Sequence, residues 1–169
     1  MVSSNVFKSL SLFTGFTNNQ LALLKPLFLP YECFAGTVLF DQGDRADYLY
    51  VLITGEVATH FKPDDSAPIP IARIRPTGVV GISAAIGRRC YTSTAVCITD
   101  VFMLRLRARD LQFLAEQHPE IAAKFIQHIA ASISERLPGA QDQVYAILEN
   151  GLRNGIHNRG EGSINDRAK

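Results

Sequence analysis

A chain of 169 residues, 47% hydrophobic and 20% charged, can bury one substantial core and has the composition of a soluble globular domain. Its formal net charge of +1 gives no electrostatic case for nucleic acid or an acidic membrane as the main partner, and no apolar run approaches the roughly 20 residues of a membrane span. The three cysteines, Cys33, Cys90 and Cys97, lack the C-x-x-C spacing of a zinc site or an even disulfide set, so a reducing cytoplasm is the expected compartment.

The N-terminus, Met1-Val2-Ser3-Ser4-Asn5, has no basic segment followed by an apolar one, so no secretory signal is expected. Thr17-Asn18-Asn19-Gln20 has the pattern of a capping box, and Leu21, Leu24 and Phe28 follow at near-helical spacing. Pro26 and Pro30 limit that helix. Phe7, Leu10, Leu12, Phe13 and Phe16 stand in front of it as apolar anchors, so residues 1–30 are expected to form a small helical lid.

Between residues 31 and 106 the pattern changes to short strands and frequent turns. Gly36–Phe40 reads as a strand, Asp41-Gln42-Gly43-Asp44 as a turn, and Tyr48–Ile53 as a buried strand. Thr54-Gly55-Glu56 turns the chain into Val57–Phe61. Pro63–Pro68 is a surface loop, and Ile69–Ile74 is a strand with a proline suited to a sheet edge. Further strands are expected around Thr94–Ile98 and Val101–Leu106. The fold class implied is mainly β with flanking α: an antiparallel β-roll, or jelly roll, with a helical lid before it and helices after it.

From residue 107 the period becomes helical. Pro119 and Glu120 suit a helix start, and Ile121, Phe125, Ile129, Ile133 and Leu137 form one apolar face that is expected to pack on the roll. One domain is thus expected over 1–137, with helices at 107–137. Pro138-Gly139 sets apart a short helix within 138–152, whose Val144, Ile147 and Leu148 share a side, and 153–169 reads as a disordered tail.

The stretch Gly78–Ala95 organises the rest. Gly81 precedes residues able to form a turn of helix, and a helix start suits a phosphate. With Gly36 to Asp44, Tyr50 to Val57, Thr99-Asp100-Val101 and His118-Pro119-Glu120, the chain closely resembles the cyclic-nucleotide-binding domain family from about Phe7 to Leu137. The resemblance implies a phosphate-binding cassette of the form Gly-x-Phe-Gly-Glu-x-Ala-Leu, followed nine positions after the Glu by Arg, a small residue and Ala. There the Glu accepts the ribose 2′-hydroxyl and the Arg pairs with the cyclic phosphate. Gly78, Gly81 and Ala84 match, but Ile82 stands at the Glu position and Tyr91 at the Arg position, with Thr92 where Ser or Thr often touches phosphate or purine.

The ligand-binding residues expected from this degenerate cassette are Gly81, Ile82, Ser83, Ala84, Arg88, Arg89, Tyr91 and Thr92. Hydrogen bonds to charged groups are worth about 1.5–3 kcal/mol each, so losing two anchors implies roughly two to four decades in affinity. The function expected is a stand-alone regulatory module that binds cAMP or cGMP weakly or not at all and acts through contact with a protein partner or a second copy, by way of the C-terminal helix. No metal, resident cofactor, nucleic-acid partner or membrane is expected. An alternative keeps a genuine cyclic-nucleotide sensor, with Arg88, Arg89 and backbone amides replacing the lost anchors. A remote alternative is a hydrolase, because Gly81-Ile82-Ser83-Ala84-Ala85 brushes against a nucleophile elbow with Asp100 or Asp110 and His118 or His128 downstream. The strand pattern lacks the alternating β/α units which that fold needs.

Overall fold

The computed structural model describes residues 2–134. The predicted helix at 138–152, with Val144, Ile147 and Leu148, and the tail at 153–169 lie outside the described residues, as does Leu137.

The lid begins with α1 (Ser4–Ser9), a 3-10 turn at Ser11–Phe13, and α2 (Asn18–Leu24). The capping box forms as read: the Gln20 N–H donates to Thr17 Oγ1 at 3.2 Å, and the Thr17 N–H donates to Gln20 Oε1 at 3.0 Å. Phe28 does not continue α2. A 3-10 turn at Lys25–Leu27 carries Pro26, and Phe28 opens a strand, because a chain with prolines at 26 and 30 cannot sustain the helical ladder.

Eight strands follow, all antiparallel where they pair: β1 (Phe28–Cys33), β2 (Val38–Phe40), β3 (Tyr48–Thr54), β4 (Val57–Phe61), β5 (Ile69–Ile74), β6 (Val79–Val80), β7 (Thr94–Cys97) and β8 (Val101–Arg107). They make two four-stranded sheets, in the orders β1-β8-β3-β6 and β2-β7-β4-β5. The fold is the antiparallel jelly roll that the strand spacing predicts. Pro30 and Pro70 both sit in edge strands, where a missing N–H costs no interior ladder bond.

Alternation on β3 and β8 divides the side chains of the first sheet. Phe28, Leu49, Val51, Leu104 and Leu106 share the face that the helices cover, by cross-strand register. Tyr31, Tyr50, Leu52, Met103 and Arg105 share the opposite face, inside the roll. After β8 come α4 (Ala108–Gln117) and α5 (Pro119–Ser134). Ile121, Phe125 and Ile129 are buried and Ile133 is partly so. Phe125 stacks on Phe13 at 6.1 Å and meets Phe28 edge-on at 5.8 Å, so this stripe closes the lid onto the sheet. The Lys124 ammonium donates to the Gly15 carbonyl across the same seam.

Candidate ligand site in the roll

The cassette sits between β6 and β7. Gly81 takes φ +80°, in the left-handed region, and lets the chain leave β6 and turn at once into the one-turn helix α3 (Ile82–Ala85). The β3–β6 ladder pairs Tyr50 with Val80 and Val51 with Val79, then stops because residue 82 is already helical. Tyr48, two positions from Tyr50 along β3 and opposite residue 82 in this register, therefore meets no β6 residue.

Tyr91 fills that gap. Its hydroxyl donates to the Tyr48 carbonyl at 2.6 Å and accepts from the Tyr48 N–H at 3.1 Å, standing in for the missing strand. Its ring stacks on Phe40 at 3.6 Å with planes 12° apart, and the residue is only 5% exposed. A Cβ placed on Gly81 would meet the Tyr48 carbonyl at 2.8 Å, Tyr91 Cε1 at 3.2 Å and Phe40 Cε1 at 3.5 Å. The space against Gly81, where the resemblance would seat a phosphate, is thus taken up by two aromatic rings. Burial pushes the Tyr91 phenol up to about 12, although the hydrogen bond to the Tyr48 backbone works in the other direction.

The remaining expected residues divide between the two sides of the cassette. Ser83 and Ala84 are buried, Ile82 is half-buried against the core, and Thr92 is exposed. Arg88 and Arg89 are exposed on the outer side of α3, facing a groove that they share with Arg45, Arg107 and Arg109. Ser83 has no hydrogen bond to either candidate histidine among the described residues. His128 is held against the Phe16 ring and the Ser11 carbonyl, and His118 faces Glu120 at 3.9 Å. The Asp41–Asp44 segment is a turn, with the Asp41 N–H on Asp44 Oδ2 at 2.9 Å. Among the described residues no group of three or more His, Cys, Asp or Glu is placed to hold a metal, and no helix is long and apolar enough to cross a membrane.

The aromatic lining was not legible as a site. Phe40, Tyr50 and Tyr31 continue from Tyr91 as a row of neighbouring rings, at 6.2 Å and then 5.9 Å. The Arg105 guanidinium lies between Tyr31 (4.5 Å) and Tyr48 (4.7 Å), and its Nε is buried with no hydrogen-bond partner among the described residues. The period-two alternation of Tyr48 and Tyr50 on β3 with Arg105 and Arg107 on β8 could have revealed this row. Its meaning depends on a pairing register that a single strand does not disclose.

Comparison with known proteins agrees with this geometry. The sequence profile described as the cyclic nucleotide-binding domain matches residues 32–118, just over half of the chain. The crystal structure of a cyclic nucleotide-binding protein from Geobacter metallireducens superposes with a TM-score of 0.71 at 23% identity, covering 81% of this chain and 99% of that one. A CRP-like cAMP-activated global transcriptional regulator from Mycobacterium tuberculosis is 22% identical over 134 residues, 79% of this chain and 60% of the regulator. Patatin-like phospholipase domain-containing protein 6 from Pongo abelii is 22% identical over 107 residues, 63% of this chain, and the match spans only 8% of that protein's length. The antiparallel roll, the glycine turns and the cassette place the chain in the cyclic nucleotide-binding domain family.

Proposed function

We propose that this chain is a regulatory module of the family in which Tyr91 stands in place of the cationic anchor for the cyclic phosphate, so that cAMP and cGMP bind weakly or not at all. The observation that carries the reading is the double hydrogen bond of the Tyr91 hydroxyl to the Tyr48 backbone, with its ring stacked on Phe40 over Gly81. A neutral phenol in that place offers a cyclic phosphate no charge. Ile82 offers the ribose no acceptor. The module is not an enzyme in this reading, and a cytoplasmic setting suits its unpaired thiols.

Its output is contact with another protein. Support comes from the edge strand β5, where Ile69 and Ile71 are more than half exposed and Phe61 of β4 stands opposite Ile69. The segment 138–152, outside the described residues, is a further contact surface in this proposal. Calorimetric titration with cAMP and cGMP tests the ligand half. Light scattering before and after deletion of residues 141–169 tests self-association through that segment.

A second reading, a working cyclic-nucleotide sensor, has one observation in its favour, and it is not Arg88 or Arg89, which face outward. Arg105 presents a buried, unpartnered Nε on the inner face of the roll and could meet an anion there. Loss of cAMP binding on Arg105→Met in a chain that otherwise bound it would establish this reading.

A further inference from the structure

On the outer side of the cassette lies a groove of about 520 Å³ bounded by three segments: Arg45–Tyr48, the Gly87–Arg89 loop, and the β8–α4 junction with Arg107, Arg109 and Gln112. We propose that this groove binds a small soluble ligand carrying two or more phosphate groups and at least one hydrogen-bond donor.

Backbone hydrogen bonds assemble the groove in advance of any ligand. The Ala46 N–H donates to the Arg89 carbonyl at 2.9 Å, and the Tyr91 N–H to the Asp44 carbonyl at 2.8 Å, which clamps the Arg45 turn onto the Arg88-Arg89 loop. The Ala108 N–H donates to the Asp47 carbonyl at 2.9 Å, which brings the start of α4 to the same place. Five arginines and one aspartate line the result. Arg45 pairs with Asp47 at 2.9 Å and Arg109 with Asp110 at 3.7 Å, whereas Arg88, Arg89 and Arg107 have no ion-pair partner among the described residues. Arg107 Nε donates to the Tyr48 hydroxyl at 3.2 Å, which fixes the direction of its guanidinium.

Two further features point to a ligand. The ten-residue α4 follows Arg107 with no side-chain cap, and although its first N–H, that of Ala108, is taken by the Asp47 carbonyl and Asp110 offsets part of the field, the partial positive charge of its start lies at the groove. Gln112 Oε1 is a buried acceptor in the groove wall with no partner, and it suits a ligand hydroxyl or amine.

The ligand class follows from charge and size. A singly charged cyclic nucleotide would leave most of this positive charge unanswered, whereas a di- or triphosphate meets it with bidentate pairs. The chain as a whole carries 17 Lys and Arg and 16 Asp and Glu, so with five arginines gathered here the rest of it is net acidic. That favours a compact ligand in a concave site over an extended nucleic-acid or lipid surface, and the groove volume lies in the range of small-molecule pockets.

The experiment is calorimetric titration of the full chain with pyrophosphate, ATP and inorganic phosphate, repeated on Arg88→Glu/Arg89→Glu. Saturable binding of pyrophosphate and ATP is expected, tenfold or more tighter than phosphate and weakened by salt, on the order of one charge-assisted contact. The Arg88→Glu/Arg89→Glu variant should bind at least about a hundredfold more weakly with its melting temperature unchanged, since both side chains are exposed. Absence of saturable binding, retention of affinity by Arg88→Glu/Arg89→Glu, or a preference for anionic vesicles or an oligonucleotide over ATP would overturn the proposal.

Discussion

The Tyr91 hydroxyl and the Tyr48 backbone form a closed pair: the phenol donates to the carbonyl at 2.6 Å and accepts from the N–H at 3.1 Å. One side chain thus takes the place of the strand β6, which ends at Val80. Its removal leaves two backbone groups partly buried without partners. Tyr91→Phe keeps the stacking on Phe40 and should lower the unfolding free energy by about 1–3 kcal/mol, the cost of unsatisfied buried groups. Denaturant unfolding with an unchanged slope would show it. A loss below about half a kcal/mol would mean that water replaces the phenol.

Gly81 should tolerate no side chain. Its φ of +80° costs an L-residue roughly 1–2 kcal/mol, and a Cβ would also press on the Tyr48 carbonyl and the Tyr91 ring. Gly81→Ala is therefore expected to destabilise by more than the backbone term alone. Thermal denaturation beside Gly43→Ala, where φ is +92° and a Cβ would meet nothing within 4 Å, isolates the steric part.

Much of this arrangement is legible in the sequence. The Thr17/Gln20 capping box, the turn at Asp41–Asp44 and the stripe Ile121/Phe125/Ile129 are local patterns, and local patterns survive into the fold. The cassette positions could be aligned because glycines mark its turns. Phe28 keeps a helical spacing from Leu24, and of the two signals at this point the limiting prolines prevail, so that it opens β1. The partner of Tyr91 was not legible, since the Tyr48–Tyr91 contact spans 43 residues and exists only once β6 stops short. Arg88 and Arg89 had the right charge and the wrong side of α3, which sequence spacing alone does not distinguish.

The buried phenols set a pH dependence. Burial holds Tyr91 at about 12, above the ordinary value of 10, and pushes Tyr50 up further, with the neighbouring phenols adding to it. A group raised in the folded state favours folding fully below its unfolded value, and that contribution is lost as pH rises through the folded one. Stability should accordingly fall between about pH 10 and pH 12. Tyrosinate absorbance, followed together with circular dichroism, should show these phenols ionising only as the fold is lost. Ionisation of all five tyrosines near pH 10 with the fold intact would contradict the burial.

The lid depends on Phe125, which is fully buried and touches the rings of Phe13 and Phe28. Phe125→Ala should cost about 3–5 kcal/mol. Hydrogen exchange should show α1 and α2 opening before β3 and β8 in the same variant, because the lid loses its anchor while the ladder keeps its own bonds.

The most direct measurement is calorimetric titration of cAMP into the wild-type chain and into the Ile82→Glu/Tyr91→Arg double variant. Restoring the ribose acceptor and the phosphate's guanidinium returns two charge-assisted interactions, about 3–6 kcal/mol together or roughly two to four decades in affinity. The wild type should show no binding tighter than about millimolar, and the double variant, if it melts cooperatively, should bind measurably. Micromolar cAMP binding by the wild type would contradict the account, because a ligand would then have displaced the Tyr91 phenol from Tyr48 or found another cation inside the roll.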